Sequence, residues 1–142
     1  MEIQMKLKVS AHDFYHVLLQ SLINDIQNVT HQTVTEADLS CGYRYKKKST
    51  QRQGSMIKVH VKKLVSDQEY LVHFTTSLDT SVLHYRLEPI DENHCLVTYT
   101  EEYDRFDKQE LSSSALRAQK KRAKKMIKAI EHSIIKNSRS KQ

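Results

Sequence analysis

The sequence predicts an α+β domain in which a curved antiparallel sheet of about six strands wraps on a long C-terminal helix. Three observations predict it. Short period-two segments follow one another from Tyr43 to Glu101, separated by brief polar breaks. An amphipathic pattern of helical period occupies the end of the chain. No strand–helix–strand repeat of the parallel kind occurs between them. The length of 142 residues suits one domain, and a 38% hydrophobic composition supplies a core. Residues 1–136 are expected to form that domain, with 137–142 as a frayed basic tail.

Each element has its own signal. Ile3, Met5, Leu7 and Val9 alternate with Gln4, Lys6 and Lys8, as in a strand buried on one face. Ser10 is placed to cap a helix, with Asp13 in its first turn. Phe14, Val17, Leu18, Leu22 and Ile26 recur at helical spacing through about Asn28. Thr35 and Asp38 start one short helical turn that Gly42 ends. Tyr43 and Tyr45 begin the strands, and a polar turn spans Ser49 to Gly54. Then follow Ile57, Val59 and Val61; Tyr70, Val72 and Phe74; Leu83, Tyr85 and Leu87; and Cys95, Val97 and Tyr99 with Glu101. The breaks at Ser66–Gln68, Leu78–Ser81 and Pro89–Asn93 are hairpin connections.

Register follows from matching the apolar sets. Val61 pairs with Val72 and Val59 with Phe74, which sets His60 opposite His73 on the outer face. Across the next turn, Val72 pairs with Leu87 and Phe74 with Tyr85. The last helix is expected from about Lys108 to Lys136. Ala115, Leu116, Gln119, Ala123, Met126, Ile127, Ile130 and Ile134 fall on one side, and Arg117, Lys120, Lys121, Lys124, Lys125 and Lys128 on the other.

Composition excludes several function classes. Two glycines, Gly42 and Gly54, match neither a dinucleotide-binding nor a Walker A loop, and no other cofactor motif is present. Cys41 and Cys95 lack zinc or disulfide-scaffold spacing and read as inert thiols. The apolar runs are far shorter than the ~20 residues of a membrane span. No signal-peptide pattern opens the chain, so a cytoplasmic location is expected. His12 and His16 stand four apart on the first helix, but without H-E-x-x-H or a third ligand no metal is expected. No serine sits in a nucleophile elbow.

The net charge of +6 is uneven. Residues 1–116 hold 13 basic and 16 acidic side chains, a net of −3; residues 117–142 hold 10 basic and one acidic, a net of +9. The basic helix face has three readings: a solvated face, a phosphate-binding face, or a dock for an acidic membrane or partner. No aromatic residue lies in 107–142 to stack on bases, so a nucleic-acid partner is not the expectation.

The opening run from Met5 to Leu18, a strand, then Ser10-Ala11, then an apolar-faced helix, resembles the helix-grip fold of the START and polyketide-cyclase-like superfamily. The long terminal helix completes the resemblance. More narrowly, Gly42-Tyr-Arg-Tyr-Lys-Lys47, Tyr85-x-Leu87 and Val97-Thr-Tyr-Thr-Glu-Glu102 resemble an uncharacterised bacterial family within it. One departure is Gln51-Arg52-Gln53-Gly54, with a single glycine where many plant relatives carry a glycine-rich loop.

The resemblance implies a cavity for an apolar or aromatic small molecule between sheet and helix. Its lining would come from Tyr43, Tyr45, Val59, Tyr70, Val72, Phe74, Tyr85, Val97 and Tyr99 on the sheet, and Gln119, Ala123, Met126 and Ile130 on the helix. An ordinary filled core is the equal alternative. A cyclase or hydrolase using the same space would take Tyr99 and Glu101 as acid and base. Strand parity turns Glu101 inward if the strand reaches it. A strand that ends earlier leaves it at the rim beside Arg44 or Lys46, and the rim is the expectation. A monomer or weak homodimer is expected, His60 and His73 marking an outer patch open to pairing.

Overall fold

The computed structural model describes residues 1–40, 42–49, 54–107 and 111–140. Cys41, residues 50–53 and Lys108 lie outside them. Alternation at the N-terminus gives β1 (Glu2–Leu7), with Ile3 and Leu7 buried. The Ser10 hydroxyl then accepts the Asp13 N–H at 3.0 Å and starts α1 (Ala11–Thr30). That helix buries Phe14, Leu18, Leu22 and Ile26, and also Tyr15 and Leu19. It ends where His31 turns left-handed and returns its N–H to the Gln27 carbonyl. Thr35 and Asp38 close a reciprocal capping box on α2 (Glu36–Leu39).

Five strands follow: β2 (Arg44–Lys48), β3 (Met56–Val65), β4 (Glu69–Thr75), β5 (Asp79–Asp91) and β6 (His94–Arg105). The sheet order is β1-β6-β5-β4-β3-β2, and every pairing is antiparallel. The β3–β4 register is as expected: Val61 faces Val72, Val59 faces Phe74 and His60 faces His73. Lys62 bulges out of it.

The β4–β5 register differs by four residues. Val72 faces Leu83, Tyr70 faces Tyr85, and Phe74 faces Ser81. The turn lies earlier than expected, at residues 76–78, where the Thr76 hydroxyl donates to Asp79 at 2.6 Å and accepts the Leu78 and Asp79 N–H groups. An even shift preserves parity, so the same side chains still face the core. β5 also runs through Pro89 to Asp91. Proline is tolerated there because β4 has already ended opposite Arg86, leaving no neighbour on that side to need its N–H.

The last helix, α3 (Ser113–Ser140), starts later and ends later than the expected span. The Ser112 hydroxyl accepts the Ala115 N–H at 3.1 Å. Gln119, Ala123 and Ile127 form its buried row, and Glu131 continues it. Leu116 and Met126, expected on that row, are 39% exposed because they lie at its margins. Glu131 is only 8% exposed; it accepts the Lys8 N–H at 2.7 Å and pairs with the Lys128 ammonium at 3.2 Å. That carboxylate ties α3 to the end of β1.

Candidate functional site

On the concave face the inward side chains of β2–β6 change character along the strands. At one end Val59, Val72 and Val97 are fully buried beneath α1 and α3. Tyr85 packs there against Phe14, Tyr70 and Tyr99, with ring centroids 4.7–5.9 Å apart. Its hydroxyl donates to the Met126 sulfur at 3.9 Å. Burial pushes the phenols of Tyr70, Tyr85 and Tyr99 well above the ordinary tyrosine range, and the Glu101 carboxylate adds to the effect at Tyr99.

At the other end the concave face opens into a groove of about 430 Å³. Ile57, Phe74 and Leu83 are its apolar wall; Lys47, Asp79, Glu101 and Tyr103 bring polar atoms to it. The β6 strand does not end at Glu101 but continues to Arg105, so parity does turn Glu101 inward. Its Oε2 accepts the Gln119 amide at 2.8 Å, rather than meeting Arg44 or Lys46. Lys47 stands across the groove, 3.1 Å from Asp25 of α1 and 5.9 Å from the Phe74 ring centroid. Asp25 also accepts the Tyr45 hydroxyl, and burial, reinforced by that bond, raises the Tyr45 phenol far above its ordinary value. Asp79 accepts the Tyr103 hydroxyl at 2.7 Å.

The residues expected to line a cavity therefore divide. Phe74 borders the groove, as does Glu101. Tyr45, Val59, Tyr70, Val72, Tyr85, Val97, Tyr99, Gln119 and Ala123 are buried; Tyr43 and Ile130 are partly buried beside them, and Met126 is at the surface. Lys47, Ile57, Leu83 and Tyr103 were not expected at the site, although each shares strand parity with a residue that was. His12 bonds Asp67 at 3.0 Å on the exposed face of α1 and stacks on His16. Among the described residues no cluster of three or more His, Cys, Asp or Glu is placed to hold a metal ion. Cys95 is buried, and its thiol is pushed up to about 11 by burial and the Glu131 charge, so it stays protonated. No helix among the described residues is long and apolar enough to cross a membrane.

Residues 1–131 match the family described as Domain of unknown function (DUF3284). The chain belongs to that family. No curated protein matches it in sequence. Solved structures show what the DUF3284 chain shares in three dimensions. A START superfamily protein from Mycobacterium smegmatis superposes with a TM-score of 0.61 at 7% identity, covering 96% of this chain and 97% of its own. The protein Ara h 8.0201 gives 0.64 at 11% identity, covering 96% and 97%. The Zhui aromatase/cyclase from Streptomyces sp. R1128 gives 0.59 at 9% identity, covering 97% and 94%. At such identities the likeness is one of fold, and the fold is the helix-grip fold.

Proposed function

We propose that this DUF3284 protein is a cytoplasmic binding module, a monomer or weak homodimer, that holds a small molecule with an apolar or aromatic body at the open end of the concave face. The observation that carries the proposal is the lining of the groove. Ile57, Phe74 and Leu83 offer apolar wall, while Lys47 and Glu101 reach in from opposite sides. A volume of about 430 Å³ lies within the range of small-molecule sites. Gln119 steadies Glu101 and Asp25 steadies Lys47, so both polar groups are held before a ligand arrives.

Native mass spectrometry of the freshly purified protein tests this. The expected mass exceeds that of the polypeptide by one small organic molecule, and Leu83→Trp, which fills the groove, removes the excess. A bare polypeptide mass, with the same 8-anilinonaphthalene-sulfonate fluorescence for the wild type and Leu83→Trp, counts against the site.

A second reading uses the same groove for cyclase or hydrolase chemistry, and the nearness of Tyr99 to Glu101 favours it. Glu101 lines the groove and is placed to accept a proton, while Tyr99 beside it keeps its own, held by burial and by the carboxylate, and acts as the acid only if a ligand uncovers it. Under this reading Tyr99→Phe retains the bound molecule and stops its conversion. Unchanged conversion in Tyr99→Phe removes the assignment.

A further inference from the structure

A second groove lies on the opposite, convex face of the sheet and is independent of the first. It measures about 580 Å³ and crosses β2, β3 and β4. Pairing register arranges its side chains in two rows. Arg44 faces His60, which faces His73; Lys46 faces Lys58, which faces Thr75. Lys62, bulged out of β3, joins them at the groove. Among the described residues Arg44, Lys46, Lys58 and Lys62 make no ion pair. By contrast Lys47, Lys63, Arg86 and Arg105 each meet a carboxylate.

Like charges set directly opposite on neighbouring strands destabilise a sheet. Here Lys46 opposes Lys58, and Arg44 opposes a histidine already surrounded by cations. Nothing in the packing of the core requires this, since all these side chains point away from it. A cost without a structural return is the mark of a functional surface.

We propose that this convex groove is a binding site for a phosphate-type dianion. Its size and limits favour a compact anion over a nucleic-acid track. Strands lie ~4.8 Å apart and alternate side chains ~7 Å apart, so two rows across three strands make room for one or two phosphate groups. Beyond the rows the convex face turns apolar at Leu71 and Val82, and then acidic at Glu102. Tyr45 also borders the groove, but it is buried and sends its hydroxyl to Asp25 on the core side, so bases have no stacking platform on this face.

The histidines give the site a pH dependence. Burial lowers the affinity of His60 for a proton, and Arg44, Lys62 and His73 lower it further. His73 is lowered by burial and Lys62, against the opposing charge of Glu102. An anion seated among them cancels the positive field and restores proton affinity. Binding therefore takes up protons and strengthens as pH falls through the histidine range.

Titration with sodium sulfate, which stays dianionic throughout, tests the site by following the histidine ring resonances. His60 and His73 are expected to shift together and saturably, with binding about tenfold tighter at pH ~5.5 than at pH ~7.5. Arg44→Gln with Lys58→Gln is expected to weaken binding at least tenfold at both values; the substituted side chains are exposed and the fold is retained. His60→Gln with His73→Gln, followed by isothermal titration calorimetry because its reporter rings are gone, keeps binding at the higher pH and loses the gain at the lower one. Inorganic phosphate compared with phenyl phosphate then separates a free ion from a phosphorylated small molecule as the source. Shifts that never saturate, or a double cation variant that titrates like the wild type, overturn the proposal. So does a short single-stranded oligonucleotide that displaces sulfate with a salt dependence of more than about four phosphates.

Discussion

The two ends of the concave face are built from the same strands and differ in what they enclose. Along β4, β5 and β6 the inward residues pass from Val72, Tyr85 and Tyr99, all nearly or fully buried, to Phe74, Leu83 and Glu101, all partly open. Two covers account for the change. Over the closed end α1 lays Phe14, Leu18 and Leu22, and α3 lays Ile127. Toward the open end the inner row of α3 shrinks to Ala123, Gln119 and Ala115, and Gln119 reaches the Glu101 carboxylate there. A helix-grip sheet thus becomes closed core or open groove according to the side chains facing it, with no change in backbone architecture.

The largest effect expected on this contrast comes from pH. Tyr15, Tyr45, Tyr70, Tyr85 and Tyr99 each hold their proton more tightly folded than unfolded. The stability they contribute is complete below pH ~10, the unfolded value, and is lost as pH rises beyond it. Tyrosinate absorbance and far-ultraviolet circular dichroism should therefore change together in an alkaline titration. Five phenols ionising with the dichroism intact would break the picture of a sealed end.

Smaller, and aimed at the contrast itself, is a pair of truncations. Phe14→Ala should lose about 3–5 kcal/mol, because the ring is wholly buried and leaves a cavity. Phe74→Ala should lose about 1–2 kcal/mol, because only part of its ring is out of water. Urea unfolding of both variants measures the difference, and equal losses would make the open end ordinary core. The smallest effect belongs to Tyr45→Phe, which leaves Asp25 to Lys47 alone. A loss of about 1 kcal/mol is expected in the same measurement. No loss would show that Asp25 does not brace the β2 side of the groove.

Much of the fold was legible from local chemistry. The β3–β4 register could be read because Ser66-Asp67-Gln68 marks its turn plainly; Asp67 adopts the left-handed conformation such a turn needs. The β4–β5 register could not, because its turn is held by Thr76 and Asp79 side chains and carries neither glycine nor proline. Glu131 follows the helical period of Ala123 and Ile127, and Lys128 one turn away is a partner the sequence offers, but the Lys8 N–H that also meets it lies 123 residues away in sequence. At the site, parity was enough to point Lys47, Leu83 and Tyr103 inward, whereas deciding which inward residues stay uncovered needed the placement of α1 and α3. The convex groove was hidden for another reason: a net of −3 over residues 1–116 averages its four cations with carboxylates that lie elsewhere.

The pairing of β1 with β6 bears on how the molecule comes to exist in a cell. The N–H of Glu101 bonds the carbonyl of Met1, Leu7 faces Cys95, and β6 is the strand that borders β1 in the sheet. Strands β2 to β6 form a meander in which each joins its predecessor as it is translated. Ile3, Met5 and Leu7 have no such neighbour until β6 has left the ribosome, and the Lys8 N–H waits longer still for Glu131. Closure of so long a loop is slow and leaves an apolar edge uncovered meanwhile. Resistance to proteolysis should therefore arrive in one late step, once β6 and Glu131 are clear of the ribosome, rather than growing hairpin by hairpin during synthesis.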